Sequence, residues 1–315
     1  MDRSEFPVTD DVAAARTRRA DGRKADGGAA GSSCLATVVV PAHNEAAVIG
    51  RCLRILLSDA RPGELDVVVV SNGSSDGTGD RARSTGEQLG LRVIVLELPA
   101  PGKVAALRTG LAQVRHWPVI VLDADCELPT ATARALAAAL NVDVPAVASA
   151  HMTVDTEESA PLVRGFYRTW TSLRYVRDGM VGSGVFALNE AGYSRLGAVP
   201  DVTNDDGWVR RSFAPAERLV VAEPFVAHAA RTTRALVSRR ARIVNGNREL
   251  DVDLGADPGR NSAGGLATSV RQGRVRPADA VAFLLVAAAT RWVAATRRLR
   301  GDRRWGTDTT SRVPA

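Results

Sequence analysis

A chain of 315 residues, 45% apolar and 24% charged, has the balance of a globular protein able to bury a sizeable core. Its three cysteines, Cys34, Cys52 and Cys126, form no CxxC pair and cannot all be bridged, which argues against a disulfide framework and suits a reducing compartment. The net charge of +6 is unevenly held, with arginines crowded at 231–248 and 291–304; such clusters fit a nucleic acid, an anionic membrane surface or a phosphorylated substrate. An aromatic share of 4% and the lack of a nucleic-acid motif argue against a specific nucleic-acid partner.

Residues 1–33 are charged, rich in Gly and Ala and without the apolar core of a signal peptide, and read as a disordered tail. From Ala36 strands and helices alternate. "ATVVVPA" reads as a strand, "EAAVIGRCLRILLSD" as a helix, "LDVVVVS" as a strand and "SDGTGDRARSTGEQLG" as a helix opened by Ser and Asp. Next come the strand "LRVIVLEL", the helix "KVAALRTGLAQVRH", the strand "PVIVLDA" and the helix "TATARALAAALN". Strands without polar alternation, each followed by a helix, predict an α/β fold: a doubly wound, mostly parallel sheet with helices on both faces. Such sheets bind ligands at the carboxyl ends of their strands.

Past residue 150 the rhythm loosens. "AVASAHMTVD", "GSGVFAL" and "RLVVAE" read as strands, and "APLVRGFYRTWTSLRYVRD" and "DDGWVRRSF" as helices. Residues 231–250 predict a basic helix, 251–276 a Gly-rich linker, 277–304 an apolar then basic helix, and 305–315 a second disordered tail.

Three predicted strands end in polar turns: His43, Asn44 and Glu45 after the first, Asn72, Ser74 and Asp76 after the second, Asp123 and Asp125 after the fourth. Any one turn is explained by helix capping, the usual role of Asp, Asn and Ser at such places. Three on one sheet edge point to a ligand. Asp123 and Asp125, one residue apart on an extended backbone, are expected to point the same way. Paired carboxylates resist ionisation unless a cation lies between them. Hard oxygen donors suit Mg²⁺ or Mn²⁺, and such an ion would neutralise a departing diphosphate.

PAHNEA, SNGSSDGT, PGKVAALRTGL and DAD, in this order and spacing over roughly residues 36–225, resemble the nucleotide-sugar transferases of glycosyltransferase family 2. The resemblance implies a GT-A fold over 34–230, transfer with inversion, and Mg²⁺ or Mn²⁺. It implies Pro41, Ala42, Glu45, Asn72, Asp76, Lys103 and Asp123 as the nucleotide-sugar set, and Asp125 as metal ligand. Asn72 stands where the family has an aspartate that pairs with uracil. An amide donates as well as accepts, so UDP- and GDP-linked donors are both open. "VTNDDGWVRR" resembles the segment supplying the general base, implying Asp206 with Asp205 as the alternative; as plain structure the pair would be acids at a helix N-terminus. Gly182, Ser183 and Gly184 fall at an acceptor-side turn, or at a tight turn that simply needs glycine. His228 is a candidate metal ligand or an ordinary structural histidine. Arg239, Arg240 and Arg242 resemble a diphosphate- and acceptor-contacting helix of processive synthases but lack its Gln and Trp; a solvated basic face is the alternative.

"AVAFLLVAAAT" stops at Arg291, short of the roughly 20 residues that span a bilayer. With the arginines behind it, the segment fits an interfacial helix on an anionic cytoplasmic leaflet, or else a core helix or dimer contact. The sequence therefore predicts a cytoplasmic inverting transferase, with peripheral binding to the inner membrane face as an option, moving sugar to an unidentified hydroxyl acceptor, a lipid-linked one suiting the terminal helix. A catalytically degenerate nucleotide-sugar-binding protein is the alternative. Dehydrogenase and P-loop fingerprints are missing.

Overall fold

The structure, a computed structural model, describes residues 34–173, 176, 184–255 and 264–300. Gly182 and Ser183 lie outside them, as do the two predicted tails. Apart from the short β5, the first half alternates as the sequence predicts: β1 (Ala36–Ala42), α1 (Ile49–Leu57), β2 (Leu65–Asn72), α2 (Thr78–Leu89), β3 (Val93–Leu98), α3 (Lys103–Leu111), β4 (Val119–Leu122), β5 (Cys126–Glu127) and α4 (Thr130–Ala139). The second half adds β6 (Val147–Asp155), α5 (Pro161–Ser172), β7 (Val185–Leu188), α6 (Glu190–Leu196), α7 (Asp205–Arg211) and β8 (Arg218–His228). Then follow α8 (Thr233–Leu254), α9 (Gly264–Arg271) and α10 (Pro277–Leu299).

One eight-stranded sheet runs β3-β2-β1-β4-β7-β6-β8-β5. Its β3-β2-β1-β4 part is parallel, β7 is antiparallel to both neighbours, and β6 and β8 are parallel again. Every residue of β1 and of β4 is buried, because both faces are covered. Val38, Val40, Ile120 and Leu122 pack with Ile49, Leu53 and Leu56 of α1 and Leu136 of α4. The alternate residues Val39, Val119 and Val121 pack on the other face with Val104, Leu107 and Leu111 of α3. Burial of such side chains, about 1.5–3 kcal/mol each, explains why these runs read as unbroken apolar strands.

A separate cluster joins α5, α8 and α10 through Phe166, Trp170, Leu236 and Val286. Arg168 of α5 donates to both oxygens of Asp279 on α10, at 3.0 and 2.7 Å. Three details depart from the sequence reading. The basic helix runs to Leu254, and α9 occupies part of the expected linker. The two-residue β5 and the helix α6 were not foreseen; α6 is opened by the Asn189 side chain, which accepts from the Gly192 N–H. Finally, α10 is 23 residues long and, by length and composition alone, apolar enough to cross a membrane, although the apolar run was read as too short.

Candidate active site

The carboxyl ends of β1, β2 and β4 meet in a net of side chain to backbone bonds. Asn44, the one non-glycine residue with positive φ (52°) among the described residues, accepts from the Ser75 N–H at 2.9 Å while its own N–H donates to Ser74 Oγ at 3.1 Å. Thr78 Oγ1 accepts from the Glu45 N–H at 2.8 Å and donates to Asp76 at 2.5 Å. The Asp76 carboxylate also takes the N–H groups of Ala46 and Thr78. Burial alone would raise its pKa, but these donors hold it below the usual value. Asp76 thus pins the β1 turn to the start of α2, which is the capping role, and remains exposed at the rim. Pro41 and Ala42 are buried in β1, and Glu45 is buried just beyond it.

Asn72 has a structural role at this edge. It is 1% exposed; its amide donates to Ala42 O at 2.7 Å and accepts from the Gly102 N–H at 2.9 Å. An amide committed at both ends to backbone braces β1, β2 and the turn before α3. The turn it holds leads directly into Lys103.

Lys103 is the first residue of α3, and its ammonium lies 2.9 Å from Asp123 and 3.1 Å from Asp205. Burial pulls this group down, yet the charges of Asp123, Asp205 and Asp206 push it well above its ordinary value. It is firmly cationic. Asp205 and Asp206 open α7, which Asn204 caps by accepting from the Gly207 N–H at 3.1 Å. The Asn204 amide also donates to Asn247 of α8 at 2.7 Å, tying α7 to that helix. Both acids are buried, Asp205 at 5% and Asp206 at 8% exposure. Burial first, then the Asp205 charge, pushes Asp206 up to about 7, against the pull of Lys103.

Gly184 joins the two halves of the cluster. Its N–H donates to Asp206 Oδ2 at 3.0 Å, and its carbonyl accepts from the Asp123 N–H at 2.7 Å. Its φ is +94°, and a Cβ there would sit 2.7 Å from Cys126 Sγ and 3.2 Å from Asp123 Cβ. Only glycine meets both demands.

The paired aspartates are arranged differently from the extended geometry expected. β4 stops at Leu122, and the Cys126 N–H donates to Asp123 O at 3.0 Å, so Asp123–Cys126 is a turn. Asp123 faces Lys103, whereas Asp125, half-buried, leads into β5. In the antiparallel β5–β8 ladder Cys126 pairs with Ala227 and Glu127 with Val226. Continued by one residue, that register sets Asp125 across from His228, which β6 flanks on its other side with Asp155.

His228 is held by two carboxylates: Nε2 lies 2.7 Å from Glu127 and Nδ1 3.2 Å from Asp155. Glu127 in turn pairs with Arg51 of α1 at 2.9 Å. With both ring nitrogens engaged, His228 is an organising residue of this edge, and it would reach a metal only by releasing Glu127 or Asp155. Sequence reading passed over Arg51, Glu127 and Asp155; Glu127, two residues beyond Asp125, carried a local signal as a third acid close behind the pair. The carboxylates gathered here, Asp125 and Glu127 with Asp155 beyond His228, are hard oxygen donors of the kind a Mg²⁺- or Mn²⁺-type ion takes.

Of the three arginines, Arg239 donates to His228 O at 3.3 Å and so lies at this edge. Arg240 does not. Its guanidinium stands over the rings of Phe166 and Trp170, 5.4 and 5.2 Å from their centres, docking α8 onto α5. Arg242 is half-buried on α8.

The family model described as glycosyl transferase family 2 matches residues 37–186, a span that takes in β1 through the start of β7 and both DAD acids. Just under half of the chain, residues 37–186, is thus similar to glycosyltransferase family 2. Glycosyltransferase AglE of Haloferax volcanii is 36% identical over 91 residues, covering 29% of this chain and 30% of that protein. The probable glycosyltransferase YdaM of Bacillus subtilis is 34% identical over 93 residues, 28% of this chain and 22% of that protein. The match thus spans less than a third of either curated relative. Among solved structures, the mannosyltransferase PcManGT of Pyrobaculum calidifontis, in complex with GDP-Man and Mn²⁺, aligns with a TM-score of 0.57 at 23% identity, over 85% of this chain and 79% of that one. Glucosyl-3-phosphoglycerate synthase of Mycobacterium tuberculosis, in complex with Mn²⁺, UDP-Glc and phosphoglyceric acid, aligns with a TM-score of 0.51 at 21% identity, over 71% of this chain and 81% of that one. At these identities the likeness establishes the fold alone, which is the GT-A fold.

Proposed function

We propose that the protein transfers a sugar from a UDP- or GDP-linked donor to an acceptor hydroxyl, inverting the anomeric centre in a single displacement with Asp206 as base. The observation that carries this reading is the buried cluster of Lys103, Asp123, Asp205, Asp206 and Gly184 at the carboxyl ends of the core strands. A base must be largely ionised at working pH and still basic enough to take a hydroxyl proton, and a carboxyl raised to about 7 meets both conditions. Lys103 stabilises the acids around it and presents a fixed positive charge beside Asp123. Asp125 and the edge formed by His228 and Arg239 supply the place for the diphosphate. A divalent cation there would offset the charge of the leaving group. The GDP-Man, UDP-Glc and Mn²⁺ bound by the two structural neighbours support a hexose donor and such a cation. The three free thiols support a cytoplasmic setting.

Asp206→Asn should lower kcat by roughly 10²–10⁴-fold with donor affinity kept. Asp125→Asn should abolish metal-stimulated donor binding and turnover. Donor hydrolysis by the wild type with added Mn²⁺, in the absence of acceptor, separates a transferase from a mere binder. Normal turnover by both variants would sink the assignment, and so would a wild type that binds donors but never cleaves one.

A further inference from the structure

The opposite edge of the sheet, where the strands begin, carries a second polar cluster. Cys34 lies two residues before β1, Asp66 is the second residue of β2, and His116 lies three residues before β4. These strands are adjacent, in the order β2-β1-β4, and parallel, so their starts share one rim. Thr37 of β1 pairs with Asp66 on one side and with Val119 on the other. Its buried hydroxyl donates to His116 O at 2.8 Å and accepts from the His116 N–H at 3.3 Å, fixing the histidine backbone against β1. His116 Nδ1 lies 2.6 Å from Asp66 Oδ2. One donor atom from each of Cys34, Asp66 and His116 falls within 4.8 Å of the other two. The imidazole is about half exposed, at 47%, so solvent and ions reach the cluster.

We infer that Cys34, Asp66 and His116 form a binding site for a zinc-type divalent cation, distinct from the cation that serves sugar transfer. One sulfur, one nitrogen and one oxygen donor are the mixture that zinc takes in tetrahedral coordination, leaving a fourth place for water. Mg²⁺ and Mn²⁺ favour all-oxygen surroundings, so the two ends of the sheet select different ions by donor chemistry. None of the three residues touches the transfer cluster, which stands at the other end of the same strands. A bound ion would clip together the starts of β1, β2 and β4, and its effect would be on stability and not on the chemical step.

The test uses the full chain, stripped with a chelator and titrated with zinc chloride by calorimetry in excess Mg²⁺. The expected result is one zinc per chain, with a higher Tm. Co²⁺ in place of zinc should give the near-ultraviolet absorption of a thiolate–cobalt bond. Cys34→Ser should remove that absorption, and His116→Gln should weaken zinc binding roughly tenfold or more; both are modest changes at a partly exposed rim. Asp125→Asn should keep zinc binding intact, which separates this proposal from the transferase reading. Failure of the wild type to take up zinc overturns the inference. So does uptake that persists unchanged in Cys34→Ser and His116→Gln, the signature of an adventitious surface ion.

Discussion

Asp206 is buried beside Asp205, and the folded protein holds its proton far more tightly than an unfolded chain would. Two consequences follow with opposite sign. A base works only when ionised, so kcat/KM should climb with pH and level off above about 7, where Asp206 has lost its proton. Stability runs the other way. Between the ordinary aspartate range, near 4, and about 7 the folded state carries a proton that the unfolded state lacks, so stability falls as pH rises through that window. Asp206→Asn, neutral and able to accept from the Gly184 N–H, should therefore be more stable than wild type at pH 8 while nearly inactive. Urea unfolding of both proteins at pH 5 and pH 8 checks this; a variant less stable than wild type at pH 8 would show that the carboxylate is not the strained group described. At this same scale the sequence was partly legible. The acids and Lys103 could be picked out because each follows a strand or opens a helix, but their partners could not. Gly184 reaches Asp123 and Asp206 across long stretches of chain, and its carbonyl holds the N–H at the start of the Asp123–Cys126 turn.

Elements carry the site by close packing. A Cβ on Gly110 of α3 would stand 2.4 Å from Val39 Cγ1 in β1 and 3.2 Å from Val70 Cγ2 in β2. That contact lets the helix lie close on the sheet and sets the height at which Lys103, at its other end, meets Asp123 and Asp205. Gly110→Ala should cost about 1–3 kcal/mol through overpacking, despite the better helix propensity of alanine. Its denaturant midpoint should fall, and KM for the donor should rise as α3 is displaced. An unchanged midpoint would mean that the sheet absorbs the methyl freely. Periodicity revealed α3 and the apolar strands because burial on two faces leaves a local pattern. It could not reveal β5, too short at two residues to have a period. Nor could it show that Arg240 is drawn to Phe166 and Trp170, since that pairing arises only when α8 meets α5.

For the whole molecule the open question is what meets the outer face of α10. Its inner stripe, Asp279, Ala282, Val286, Thr290 and Ala294, is buried, and Asp279 is bound by Arg168. Crossing a bilayer would strip that face and part the buried Asp279 carboxylate from Arg168, and in the structure the helix is docked on the body. The other face presents Val281, Leu284, Leu285, Trp292 and Leu299, with Trp292 at 70% and Leu299 at 88% exposure. Arg291, Arg298 and Arg300 are exposed beside them. An apolar stripe flanked by cations matches the boundary of an anionic leaflet, where each arginine contributes about 1 kcal/mol. The protein should sediment with vesicles containing phosphatidylserine, much less with neutral ones, and high salt should release it. Trp292 emission should shift to the blue on binding, a change lost in Trp292→Phe. Leu284→Asp combined with Leu285→Asp should abolish vesicle binding while donor hydrolysis in solution continues. If the wild type instead forms a dimer through this stripe, seen by analytical ultracentrifugation and broken by the same double substitution, α10 is a subunit contact and the membrane reading falls.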